Sequence, residues 1–290
     1  MMRALRSHWP QYVMEAGGLA AFMISASAFG VLFEHPGSPV HRAIVNPFAR
    51  RALMGVAMGL TAIALVYSPW GKRSGAHLNP SVTLAFLRLG RIKSPDAVFY
   101  VLAQFAGAIV GVLIAWSLLG ARLANPPPRF VLTAPGMRGA AVAFAAEVAI
   151  SALLMLVVLT VSGSRFAPYT GLFAGALVAL YITFEAPLSG MSMNPARSFA
   201  SAFLSDNWTG WWVYFTAPPL GMSLAAALYV RLRGPAGVGC AKLHHDNPYR
   251  CIFCEYQSEQ MRLGLPSAAR SDKGMAGVPR TRKAWSETGA

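Results

Sequence analysis

Six long apolar segments constrain most strongly what this chain can fold into. They cover approximately residues 11–33, 52–69, 97–119, 139–161, 168–187 and 210–231. A helix needs about 20 apolar residues to cross the hydrocarbon core of a bilayer. Each segment must satisfy its own backbone hydrogen bonds inside lipid, and a helix does so within one segment. The sequence therefore predicts an all-helical membrane protein with six spans.

The charge distribution supports this prediction and argues against nucleic-acid binding. Only 12% of the 290 residues are charged, compared with about 25% in soluble domains. The net charge is +14, but the basic residues lie between the apolar segments and in the C-terminal region, which holds nine of the 25. Lys and Arg beside spans are typical of cytoplasmic loops. We therefore predict a multi-pass plasma-membrane protein, surrounded by lipid, with both termini cytoplasmic.

Two further stretches are too short to span a membrane and unlike ordinary loops. Residues 79–90 and 194–204 are each about half a span long, and each begins with Asn-Pro. Asparagine is a favoured N-cap, and proline is favoured at the first helical position. The sequence therefore predicts two short helices that start at Asn79 and Asn194.

The chain also contains an internal repeat. A Ser-Gly pair starts five residues before each Asn-Pro, and Glu15 and Glu147 lie in the first and fourth spans, ahead of their own Asn-Pro. The halves are about 1–120 and 136–232, and three spans in each half require the second to be inverted. Inverted repeats with short, interrupted segments are typical of proteins that pass a substrate through the membrane midplane.

The residues around the two Asn-Pro pairs carry a family resemblance. Residues 74–83 read SGAHLNPSVT and residues 193–199 read MNPARSF, which resembles the paired Asn-Pro-Ala signatures of the aquaporin and glycerol-facilitator family. The resemblance covers about residues 10–232. It implies six transmembrane helices plus two re-entrant half-helices, and a homotetrameric channel, not an enzyme, for water and small neutral solutes without a cofactor. An ion-coupled secondary transporter is the alternative, because inverted repeats also occur there.

The resemblance assigns the pore motifs to six residues. They are Asn79, Pro80, Ser81, Asn194, Pro195 and Ala196. Half-helices that meet at their N-termini would place positive dipole ends at the pore centre and repel cations. The two asparagine amides would donate hydrogen bonds to a passing oxygen, and such lumen-facing donors account for selectivity in pores of this type. Ser81 stands where the family has alanine, and we expect little effect from this small side chain.

The selectivity filter is expected to be unusual. Arg197, three residues after Asn194, matches the filter arginine of the family, and a cation inside a membrane segment is costly unless it faces water or a partner. Ile182 and Met191 fall at two further filter positions. Met58 is expected at the fourth, with Gly59 as the alternative. Such a filter lacks the aromatic and histidine side chains of strict water channels, which predicts passage of small uncharged solutes such as glycerol or urea.

Three polar residues of the body are assigned supporting roles. Buried carboxylates in a membrane can transfer protons. The resemblance instead implies that Glu15 and Glu147 brace the backbone of the re-entrant loops. His77 is interpreted as a packing and hydrogen-bonding residue of the first loop.

The C-terminal region forms a separate unit in this interpretation. We divide the chain into a channel domain, 1–232, and a basic cytoplasmic tail, 233–290, that is partly disordered. A Cys-x-x-Cys pair has metal-ligand spacing, and the tail holds one together with further cysteine and histidine. A weak metal candidate is therefore Cys240, His244, Cys251 and Cys254, with His245 as an alternative to His244. Reduced or palmitoylated cysteines are the other interpretation.

Overall fold

The computed structural model describes residues 1–245 and 247–255, and this part of the chain is entirely helices and loops. The α-helices are, in chain order, α1 (Met2–Glu34), α2 (Pro39–Ala43), α3 (Pro47–Tyr67), α4 (Pro69–Ser74), α5 (Pro80–Arg88), α6 (Ser94–Leu119), α7 (Ala121–Ala124), α8 (Ala140–Ser162), α9 (Thr170–Phe184), α10 (Ala186–Ser189), α11 (Pro195–Ser205) and α12 (Trp211–Arg233). Short 3-10 turns cover Arg129–Val131, Ala167–Tyr169 and Pro235–Gly237.

Among the described residues, six helices are long and apolar enough to cross a membrane: α1, α3, α6, α8, α9 with the turn before it, and α12. The predicted all-helical fold with six spans is therefore confirmed. Two boundaries differ from the predictions. The first helix begins at Met2 rather than near residue 11, and the second at Pro47 rather than near 52. Both extensions are polar or charged turns that continue a helix beyond its apolar part, so hydropathy does not detect them.

The two half-helices lie where the Asn-Pro pairs predicted them. Helix α5 has nine residues and α11 has eleven, which at about 1.5 Å per residue is roughly half of a ~30 Å hydrocarbon core. Each starts with proline, and the preceding asparagine caps it through its side chain. Because these signals are local in the sequence, the start of each half-helix was predictable.

Small residues let the long helices pack closely in pairs. Helix α1 packs along α6, α3 along α9, and α8 along α12. A Cβ atom added at Gly107 or Gly111 would collide with the α1 backbone, and one added at Gly59 would lie 2.6 Å from the Gly175 carbonyl oxygen. Glycine is therefore required at these crossings, as expected for close contacts between membrane helices.

The chain turns back towards the bundle after α12. Ala241, Lys242, Leu243 and Cys251 are buried, and the Leu243 N–H donates to the Gly75 carbonyl oxygen over 3.1 Å. The division of the chain at residue 232 stays a prediction. The end of the tail, which the sequence predicts to be disordered, falls within residues 256–290 and lies outside the described residues.

Candidate pore

The side chains of Asn79 and Asn194 join the two half-helices at the centre of the molecule. Asn79 Oδ1 accepts a hydrogen bond from the Ser81 N–H (2.8 Å), which caps α5. Asn194 Oδ1 accepts from the backbone N–H groups of Ala196 (3.1 Å) and Arg197 (3.3 Å), which caps α11. Both asparagines therefore point their amide nitrogens away from their own helices.

Each amide nitrogen donates to the opposite loop. Asn79 Nδ2 donates to the Met193 carbonyl oxygen (2.7 Å), and Asn194 Nδ2 donates to the Leu78 carbonyl oxygen (2.8 Å). A primary amide has two N–H donors, so one donor on each asparagine is left over after this contact. Both asparagines line a central cavity, where that second donor can reach a solute oxygen.

The loops before the half-helices have matching and unusual backbones. Ala76 and Leu78 in the first loop, and Met191 and Met193 in the second, have φ values between 48° and 54°. Non-glycine residues with positive φ carry a conformational cost and persist where surrounding contacts hold them. In both loops the positive φ values occur three residues and one residue before the capping asparagine. The internal repeat of the sequence is thus also present in the backbone conformation.

Glu15 and Glu147 make the contacts that hold these loops. Glu15 Oε1 accepts hydrogen bonds from Ser74 Oγ (2.7 Å) and the His77 N–H (3.0 Å), while Oε2 accepts from the Leu78 N–H (2.6 Å). The Gln104 side-chain amide also donates to Oε2 (2.9 Å).

The second loop repeats this arrangement. Glu147 Oε1 accepts from Ser189 Oγ (2.8 Å) and the Ser192 N–H (2.7 Å), and Oε2 accepts from the Met193 N–H (2.8 Å). Both carboxylates are fully buried. Donors that surround a buried carboxylate in this way fit a bracing role better than proton transfer, because its oxygens are already occupied.

His77 packs beneath the first loop. Its Nε2–H donates to the Ala241 carbonyl oxygen (2.6 Å), and Nδ1 lies 3.0 Å from Thr83 Oγ1. Its ring stacks between Phe86 and Phe253, with centroid distances of 5.2 and 5.4 Å. His77 thus makes both packing and hydrogen-bonding contacts, and the supporting role assigned to it from the sequence stays a prediction.

One cavity, of about 560 Å³, is lined by both asparagines. Its lining includes Arg51 near the start of α3 and Val66 near the end of that helix. Fifteen residues of helix are about 22 Å long, so the cavity follows most of the length of a span. Most of its wall is apolar, and the asparagines, Arg197, Arg51 and Glu34 contribute polar or charged groups.

The four residues predicted for the filter all line this cavity. Arg197, Met58, Ile182 and Met191 contribute to its wall. Gly59, the alternative to Met58, instead faces α9, because a Cβ there would point at Gly175. An apolar wall made by Met58, Ile182 and Met191 thus shares the cavity with the guanidinium group of Arg197.

The Arg197 guanidinium has a nitrogen that can donate a hydrogen bond to a molecule in the cavity. Among the residues that the structure describes, its buried Nη1 has no protein hydrogen-bond partner. An unpaired buried donor is costly, and water or a solute in the cavity would satisfy it.

Two residues that contact this site were not predicted from the sequence. Gln104 of α6 binds the Glu15 carboxylate and also donates to Thr83 Oγ1 (3.1 Å); a polar residue in the third span was the available signal. Leu243, from the C-terminal region, lines the cavity. No sequence signal predicted that contact.

The predicted metal candidate forms a cluster beside the first loop. Its members are Cys240, His245, Cys251 and Cys254. The histidine is therefore His245, the alternative, and not His244, whose ring packs edge-on against Tyr67 at 5.2 Å. Hydrogen bonds with Cys240 and Cys254 lower the pKa of the Cys251 thiol.

Comparison with known families gives a match over most of the chain. The sequence model of the family described as Major intrinsic protein matches residues 6–229. Aquaporin NIP1-4 of Oryza sativa subsp. japonica is 38% identical over 186 residues, which cover 62% of this chain and 66% of the relative. Aquaporin-4 of Mus musculus is 35% identical over 184 residues, covering 61% and 55% respectively. The matched part is thus less than two thirds of either relative.

A solved structure has the same fold. The X-ray structure of the aquaglyceroporin from Plasmodium falciparum covers 80% of this chain and 99% of its own, with a TM-score of 0.64 and 22% sequence identity. At this identity the likeness concerns the fold alone.

Proposed function

Because this chain belongs to the major intrinsic protein family, we propose that it is a passive membrane channel for water and small uncharged solutes. The observation that carries the proposal is the cavity lined by both capping asparagines and Arg197. Related chains are named aquaporins, which favours water as one permeant. The family consists of channels, so we expect no catalytic activity and no cofactor for transport.

The electrostatics of the half-helices support a pore that excludes ions. Each N-terminus carries roughly half a positive charge, and the two are held together by the contacts of Asn79 and Asn194. A cation at that point would meet two positive dipole ends and a nearby guanidinium. Water bound there would accept from both asparagines and turn its hydrogens outward, which interrupts a proton relay.

The composition of the filter supports passage of solutes larger than water. Met58, Ile182 and Met191 offer an apolar wall, and Arg197 offers hydrogen-bond donors on the same cavity. A small amphipathic molecule such as glycerol can place its carbons on that wall and its hydroxyls on the donors. Water needs only the donors, so the same filter would conduct both.

Stopped-flow light scattering on proteoliposomes tests the proposal. Water, glycerol and urea flux would be compared with empty vesicles, with Arg197→Ala, and with Arg122→Ala as the matched control, since Arg122 is an exposed arginine. We expect fast water and glycerol flux in the control, and altered solute selection in Arg197→Ala alone.

Three results would contradict the proposal. Fast water flux with glycerol flux equal to empty vesicles would exclude the broad filter. Flux that saturates and depends on a proton or sodium gradient would indicate the ion-coupled transporter. No flux above empty vesicles would exclude a channel.

The remaining family properties are also proposals for this chain. We place it in the plasma membrane with both termini cytoplasmic, and we assign a homotetramer with one pore per chain, with residues 1–232 as the channel domain. Protease protection in oriented vesicles tests the topology, and native mass spectrometry in detergent tests the assembly. Cleavage of the C-terminal region from the outside, or a monomer alone, would reject the respective proposal.

A further inference from the structure

Three cysteines and one histidine converge just beyond the last membrane helix. Cys240 Sγ lies 3.4 Å from Cys251 Sγ and 3.6 Å from Cys254 Sγ. His245 Nε2 lies 3.1 Å from Cys254 Sγ. The four ligand atoms all lie within 4.8 Å of one another, and the three cysteines are not joined by disulfides.

These distances match the edges of a tetrahedral metal site. Zinc binds thiolate sulfur at about 2.3 Å and imidazole nitrogen at about 2.0–2.1 Å, almost always with four ligands in structural sites. A tetrahedron with those bond lengths has S–S edges of about 3.8 Å and S–N edges of about 3.5 Å. The three contacts of 3.4, 3.6 and 3.1 Å therefore need to lengthen by only a few tenths of an ångström to reach these edges.

We propose that Cys240, His245, Cys251 and Cys254 bind one Zn²⁺ ion. The sequence pattern is Cys-x4-His-x5-Cys-x2-Cys, and it lies beyond residue 229, where the family match ends. The ligands are thiolates and a neutral imidazole, so binding releases to solvent the protons that the three cysteines and His245 carry in the metal-free protein. The centre then has a net charge of −1, from three thiolates, a neutral imidazole and a divalent ion.

A buried lysine compensates that charge. Lys242 is 2% exposed and lies two residues after the ligand Cys240 in the chain. Its Nζ donates to Asn247 Oδ1 and to the Tyr249 carbonyl oxygen, both over 3.3 Å. A buried lysine without a nearby negative group is costly. The net negative charge of the metal centre would therefore stabilise the buried ammonium group of Lys242.

The ion would close a loop of chain that rests on the first re-entrant loop. Residues between the ligands contact that loop directly: the Ala241 carbonyl accepts from His77, and the Leu243 N–H donates to Gly75. Phe253, between Cys251 and Cys254, stacks on His77 with its ring tilted by only 7°. A metal that clamps both ends of this segment would hold it against the body of the protein.

Metal analysis of the purified full-length protein tests the proposal. The protein would be prepared with a thiol-free reductant, dialysed against metal-free buffer, and measured by inductively coupled plasma mass spectrometry. We expect about one zinc per chain, retained by His244→Gln and lost by Cys251→Ser and by His245→Gln. His244→Gln is the matched control, because it changes the neighbouring histidine that the geometry leaves outside the cluster.

A second measurement separates loss of ligands from loss of folding. Each variant would be checked for monodispersity and helical content, and the wild-type protein would be reloaded with Co²⁺ in place of zinc. Tetrahedral Co²⁺ bound to three thiolates has an intense thiolate-to-metal charge-transfer band and strong visible bands. This readout on the wild-type protein does not depend on whether a variant folds. The appearance of these bands at one equivalent supports the site.

Several outcomes overturn the proposal. They are a metal-free protein with no cobalt spectrum, equal zinc loss in His244→Gln and His245→Gln, and iron with acid-labile sulfide in place of zinc. A disulfide among the three cysteines in protein alkylated directly in cells also overturns it. All of these readouts are independent of conduction, so the site can fail while the channel proposal stands.

Discussion

Replacing Glu147 with alanine should destabilise the second re-entrant loop more than any change to an exposed carboxylate. Three buried donors converge on this side chain: Ser189 Oγ–H and the backbone N–H groups of Ser192 and Met193. Alanine would leave all three without an acceptor. It would also remove the restraint on a backbone that has positive φ at Met191 and Met193.

The magnitude follows from the number of donors left unpaired. A buried donor that loses its partner costs about 1–3 kcal/mol, so three cost about 3–9 kcal/mol before relaxation and water entry reduce the total. Glutamine at position 147 keeps an oxygen for Ser189 and Ser192 but turns an amide group towards the Met193 N–H. One donor is then unpaired, and the cost falls to about 1–3 kcal/mol.

SDS-induced unfolding in mixed micelles, followed by circular dichroism, measures this difference. The matched control is Glu34→Gln: Glu34 is partly exposed, its contact with Arg50 is 3.5 Å long, and such pairs contribute about 0–1 kcal/mol. We expect the loss of stability to increase from Glu34→Gln to Glu147→Gln to Glu147→Ala. If Glu147→Ala unfolded at the same SDS fraction as Glu34→Gln, the carboxylate would not hold the loop and the bracing role would be rejected.

Three other changes have outcomes that the structure predicts. Gly107→Val should lower the temperature at which the detergent-solubilised protein loses its monodisperse size-exclusion peak, because the valine side chain would collide with the α1 backbone. The control Gly239→Ala should leave that temperature unchanged, because no other group lies within 4 Å of a Cβ atom at Gly239. Asn194→Asp should raise proton leakage measured with a pH dye in proteoliposomes, because a carboxylate replaces the donor to Leu78 and attracts cations; leakage equal to wild type would count against the asparagine barrier. Leu243→Ala should increase water permeability in stopped-flow experiments, since Leu243 lines the cavity and the smaller side chain would widen it there. Unchanged or lower flux would show that this side chain does not restrict the pore.

The repeat and the half-helices could be predicted because their signals are local. Apolar length sets whether a segment spans, and the Asn-Pro pair both caps and starts a helix within three residues. The same logic explains the errors at the starts of α1 and α3. A polar helical turn outside the membrane has no desolvation cost in lipid. Hydropathy therefore does not show that the helix continues there.

Which of Met58 and Gly59 faces the cavity could not be predicted from local signals in the sequence. Adjacent residues on one helix point about 100° apart, and only the packing partner decides which of them faces the cavity. The close crossing of α3 and α9 requires glycine at position 59, and this leaves Met58 on the cavity wall. The sequence alone does not show where α9 packs against α3.

The sequence by itself determined six spans, two capped half-helices and the inverted repeat, because those depend on apolar length and on contacts between near neighbours in the chain. Tertiary structure alone decided that His245 rather than His244 joins the cysteines, and that Leu243 reaches the cavity. Both depend on how the chain after α12 folds back onto Gly75 and His77, which lie more than 160 residues away in sequence. Contacts over that separation are set by the shape of the packed helices, and no local pattern encodes them.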